Sequence, residues 1–162
     1  MPYAEVAPVL DERVRGLCLK PYPLHPRGCP NFGRVPRCPP RVPLVWVRYD
    51  LSRPCYVVWS RFDLGAHVQR MRALHPGWSD RQVRCCRYWQ GTARKRLEAE
   101  VALFSREHAG YTVDTCPEAG GVDVTATMRL VGVELDWPPV SIVVHVALAA
   151  VEKRSTGGGI GS

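Results

Sequence analysis

No glycine-rich phosphate loop, nucleophile elbow, kinase signature set or metalloprotease helix occurs in this 162-residue chain, which excludes the enzyme classes built on those motifs. Residues 1–20 alternate charged and apolar side chains and lack the continuous apolar core of a secretory signal, so a cytoplasmic protein is expected. No run suits a membrane span. The most apolar stretch, residues 140–151, is about half the length that a bilayer requires, and His145 stands in its middle, as in a buried strand. Paired C-x-x-C spacing and the tight ferredoxin run are both missing, so a zinc ribbon and a ferredoxin are not expected.

With 46% apolar residues the chain can build a core without disulfides, and its size suits one domain, expected over residues 1–154. Its seven cysteines are an odd number without the spacing of a secreted scaffold, which points to metal ligation or reactive thiols. A formal charge of +7, mostly from arginine, suits an anionic partner: a small anionic substrate or nucleic acid. The tail, residues 155–162, is rich in Gly and Ser and is expected to be disordered.

Most of the chain's 15 prolines lie in residues 21–43, where fixed φ angles and missing N–H donors rule out a helix or central strand. Something other than secondary structure must then order this segment, and a metal gripped by Cys29 and Cys38 would do so. Beyond it, residues 44–49 and 55–59 read as a hairpin, and residues 63–74 as a helix stopped at His75-Pro76-Gly77. Ser79, with Gln82 three residues on, opens a helix that should run to about Phe104, with a kink at Gly91. That helix concentrates positive charge in Arg84, Arg87, Arg94, Lys95 and Arg96, which makes Arg87 and Arg94 candidates for holding an anionic substrate. The last third reads as strand 111–115, turn 116–121, helix 122–131, a brief strand at 133–135 and strand 141–149, a βαβ-like order. The fold expected is α/β or α+β: a small mixed sheet with flanking helices and a long irregular N-terminal segment.

Cys18, Cys29 and Cys38 are the candidate ligands, with Cys116 or His25 as a fourth. Four thiolates would close a structural zinc site or saturate a cluster, whereas three would leave an open metal position where chemistry is possible. Tyr22-Pro-Leu-His-Pro-Arg-Gly-Cys-Pro-Asn-Phe-Gly33 and Arg37-Cys-Pro-Pro40 resemble a widespread family of small, uncharacterised predicted metal-binding proteins, a likeness covering residues 18–40. That resemblance implies metal ligation by Cys29 and Cys38, with His25 where the family often has another cysteine. Cys116-Pro-Glu-Ala-Gly-Gly121 is similar to the Cys-Pro-Glu turn of the thiouracil desulfidase family, in which three cysteines hold a four-iron cluster with one free iron. By that likeness Cys116 is a cluster ligand and Glu118 handles a proton beside the open iron; read bare, the same residues are a helix start with Glu in its first turn.

Two functions follow. One is a non-redox iron-sulfur (4Fe-4S) enzyme acting on a small or nucleotide-like anion; the other is a structural-zinc module that meets nucleic acid or an acidic partner through its arginine-rich helix. Cys55 and Cys86 read as core residues, Cys85 is open, and His67, His108 and His145 read as satisfied polar groups. The five tryptophans are spread over all elements and form no stacking stripe. The oligomeric state is left open.

Overall fold

The computed structural model describes residues 2–21 and 25–154, so the tail expected to be disordered lies outside the described residues. A four-stranded sheet in the order β1-β2-β4-β3 forms the centre, from β1 (Tyr3–Glu5), β2 (Tyr56–Asp63), β3 (Thr112–Asp114) and β4 (Ile142–Ala150). All three pairings are antiparallel, with Val58 opposite Ala147 at the middle of the long β2–β4 ladder. Helices flank it: α1 (Val45–Arg48), α2 (Leu64–Leu74), α3 (Asp80–Val83), α4 (Gln90–Glu107) and α5 (Val124–Leu130). No helix is long and apolar enough to cross a membrane among the described residues.

Strand alternation divides the core in two. One face sends Val58, Phe62, Val143 and Ala149 toward Phe104 and Ala93 of α4 and toward Leu64 and Val68 of α2. The other sends Val57, Val146 and Leu148 toward Met128, Val122 and Val45, and so carries α1 and α5.

The helix at residues 63–74 forms as expected, with Asp63 capping it by accepting from the Ala66 N–H at 2.7 Å. The Ser79–Gln82 capping box is also present. The expected long helix, however, breaks between Val83 and Gln90, and Gly91 lies in the first turn of α4 rather than at a kink. Val83 and Trp89 both enter the cluster around Phe62, yet six residues at ~100° each would place them ~120° apart on one helix. A break lets both turn inward, and the Trp89 indole N–H closes it by donating to the Arg84 carbonyl at 3.0 Å.

Residues 44–49 do not form the expected hairpin strand. β2 already has β1 on one side and β4 on the other, so no edge is left for them. They coil into the single turn α1 instead and bury Val45 beside Val122 and Leu148. The βαβ reading of the last third is corrected as well: residues 133–135 are not a strand, and β3 runs antiparallel to β4.

Candidate metal centre

The proline-rich segment contains no helix or ladder strand among its described residues, as its composition requires, but it is folded by a succession of turns. Phe32 N–H donates to Cys29 O, Cys38 N–H to Val35 O, and both Arg41 and Val42 N–H to Cys38 O, while Gly33 N–H reaches across to Pro39 O at 2.7 Å. Backbone hydrogen bonds therefore supply part of the order that the sequence assigned to a metal alone.

Cys18 belongs to the 3-10 helix Glu12–Leu19, which packs against a second 3-10 turn, Pro117–Gly120, that carries Glu118. This docking is held by backbone pairing of residues 9–11 with residues 121–123, in which Asp11 N–H donates to Gly121 O and Asp123 N–H to Val9 O, both at 2.8 Å. Gly121, at φ 88°, lets the chain leave the turn, and a Cβ at Gly120 would lie 2.6 Å from Val45 Cγ1. The turn is thus pressed against α1.

Cys29 is brought to Cys18 by a short backbone tie, Cys29 N–H to Cys18 O at 2.7 Å. Gly28, at φ 81°, makes this approach possible, because a Cβ there would stand 2.5 Å from Cys18 O and 2.7 Å from the Leu19 carbonyl carbon. Arg15 closes the far end, donating to Val42 O at 2.6 Å. His25 lies in the same turn as Cys29, where its carbonyl accepts from Gly28 N–H.

Burial raises the Cys18 thiol pKa first, and the negative charges of Cys29, Glu118 and Cys38 raise it further, so these four acidic groups share one neighbourhood. Cys116 joins it through Glu118: the two side chains lie 3.6 Å apart, with the thiol donating. Burial and the adjoining Glu118 and Asp114 carboxylates push the Cys116 thiol up to about 12. Glu118 keeps solvent contact at its surface but is crowded by protein on most sides, and that crowding raises its carboxyl pKa. No three His, Cys, Asp or Glu side chains already stand as a metal-holding group among the described residues. The donor set itself, three half-buried thiols with a carboxylate and a fourth thiol beside them, suits a thiophilic metal.

Arg87 and Arg94 are placed elsewhere. Both are exposed on the α4 side of the sheet, where burial and then the Arg94 charge lower the pKa of His145 on β4, while Glu118 and Val122 sit on the opposite face. The structure does not bring these two arginines to the cysteines. Cys55 is buried in the core as expected, whereas Cys86 is exposed, since the helix break turns it outward.

The pKa directions give a pH prediction. A thiol with a raised folded-state pKa costs stability as pH rises from its ordinary value of 9.0 toward about 12, because the unfolded chain sheds that proton first. Metal-free protein should therefore lose stability over this window, and Cys116→Ser should flatten the loss by at most about 4 kcal/mol, less for the solvent that reaches the site. Urea midpoints of the two proteins at pH 8 and pH 10.5 measure it; parallel pH dependence would refute the assignment.

Comparison of the chain with family models, with curated proteins and with solved structures finds no match.

Proposed function

We propose that the chain binds a metal centre through Cys18, Cys29 and Cys38, most simply an iron-sulfur cluster with one position open, and acts on a small anion there. The observation that supports this reading is the tie of Cys29 N–H to Cys18 O, with Glu118 and Cys38 near enough for their charges to add to burial in raising the Cys18 thiol. Three ligands are favoured over four because Cys116 already donates to Glu118 and resists ionisation, which suits a proton-holding pair beside the centre better than a fourth thiolate.

A centre with an open position supplies Lewis acidity toward a bound oxyanion or sulfur. The protein's own part is then to exclude water and to handle a proton. Glu118, with its raised carboxyl pKa, keeps a proton to higher pH than an exposed glutamate does, and so can donate at a developing charge and recover the proton afterwards.

Purification without oxygen, followed by metal analysis and a visible spectrum, tests the proposal. The expected result is brown protein containing iron and sulfide. One zinc per chain with no colour would instead assign the same thiols to a structural zinc, and folded protein free of both metals would overturn the proposal. Because ligation displaces thiol protons, metal affinity should also rise with pH between 6 and 8, measured by competition with a chelator.

A further inference from the structure

The proposed site needs a place for an anion, and Arg87 and Arg94 lie across the sheet from it. A shallow, open groove of about 610 Å3 borders the proline-rich segment instead. Arg37, directly before Cys38, lines it together with Arg48 and Lys153. We infer that this groove binds a phosphorylated small molecule with a flat apolar body, of the class of a nucleoside monophosphate. The inference names the substrate class of the proposed metal site and rests on that reading.

Three cations line the groove against a single carboxylate, Glu152. The Nε and Nη2 atoms of Arg48 both reach one Glu152 oxygen, at 3.3 and 3.0 Å, so an oxyanion already occupies the guanidinium fork. A phosphate oxygen can take that place while Glu152, half-exposed, swings to solvent. Lys153 Nζ donates to Trp46 O at 2.8 Å and keeps further N–H donors for a ligand.

Two of the cations, Arg48 and Lys153, are held rather than loose. Lys153 N–H donates to Arg48 O at 3.0 Å, Tyr49 bridges Glu152, and Asp50 N–H donates to Val151 O, so Arg48 and Lys153 project from paired backbone. Arg48 also lies over the Tyr49 ring, 4.7 Å from its centre. Such preorganisation lowers the entropy lost on binding. The remaining wall is apolar: Pro36, Val42 and Pro43 offer a rigid face for a base or other planar group. Because Arg37 and Cys38 are consecutive, a ligand seated here abuts the loop that carries a proposed thiolate.

Calorimetric titration of the full chain, as purified with its metal, with adenosine monophosphate and separately with inorganic phosphate tests the inference. The monophosphate should bind about tenfold tighter than phosphate, which lacks a body to rest on the apolar wall. Arg48→Ala should weaken monophosphate binding about tenfold or more, as expected for loss of a charged hydrogen-bond donor. Lys153→Ala should weaken it to a smaller extent and serves where Arg48→Ala fails to fold; Arg87→Ala should leave it unchanged. Absence of binding at millimolar ligand, equal affinity for the two ligands, or binding indifferent to both groove variants would overturn the inference. Metal content read on the same samples separates the two claims: metal-loaded protein that ignores the monophosphate sinks the groove, and metal-free protein that binds it sinks the metal centre.

Discussion

Cys38→Ser protein, purified without oxygen beside the wild type, should retain less than about a tenth of the wild-type metal, because losing one of three thiolates removes a ligand with no substitute of equal softness. Serine keeps the size and the turn: Cys38 N–H still donates to Val35 O, and Cys38 O still accepts from Arg41 and Val42, since all of these are backbone groups. The change is therefore confined to the sulfur. The sheet, whose core uses none of Cys18, Cys29 and Cys38, should stay folded, so far-ultraviolet circular dichroism should match the wild type while metal is lost. The same experiment on Cys86→Ser is the control. Cys86 is exposed on the α4 side of the sheet, and its loss should leave metal content unchanged. A Cys38→Ser protein with full metal would remove Cys38 from the ligand set.

The second large effect is expected at Gly28. A methyl group there meets backbone, with Cys18 O at 2.5 Å and Leu19 Cα at 2.8 Å, and the residue also sits at φ 81°. Neither obstacle yields to a side-chain rotation. Gly28→Ala should thus cost about 3 kcal/mol or more, combining the left-handed backbone penalty with the forced separation of two backbone segments. Separating them breaks the Cys29 N–H to Cys18 O bond and draws two thiols apart, so metal affinity should fall along with stability. Gly16→Ala is the matched control, since a Cβ there meets nothing within 4 Å. Urea unfolding of both variants in metal-free form decides the structural part. Equal midpoints for Gly28→Ala and wild type would deny the close approach of these two segments.

What was legible in the sequence follows the range of the forces involved. Local signals read true: the Ser79 cap, the stop after Leu74 and the long apolar strand near the C-terminus depend on near neighbours, and a sequence displays near neighbours directly. Decisions made by the sheet did not. Whether Val45 and Val47 extend or coil depends on which edge of β2 is free, and β1, fifty residues upstream, had already taken it. Val83 and Trp89 broke a well-signalled helix because both had to enter one cluster with Phe62.

The candidate site was legible in part for the same reason. Proline density marked residues 21–43 as a segment with a special purpose, and Cys29 and Cys38 stood out within it. The docking of Cys18 against the Glu118 turn depends on pairing between residues 9–11 and 121–123, which no local pattern announces. Arg87 and Arg94 stand out in the sequence for the charge density of one helix, but a sheet has two faces, and theirs is not the one that carries the Glu118 turn. Of the cations beside the cysteine segment, Arg48 and Lys153 come from stretches a hundred residues apart, and backbone pairing around the Tyr49–Glu152 bridge brings them together.

X-ray absorption at the metal edge, on full-length protein prepared without oxygen, tests the central assignment most directly. The account predicts a wild-type first shell dominated by sulfur at about 2.3 Å, and an edge signal that falls with the lost metal in Cys18→Ser, Cys29→Ser and Cys38→Ser alike. A shell of nitrogen and oxygen alone, or one that none of these three substitutions alters, would contradict it.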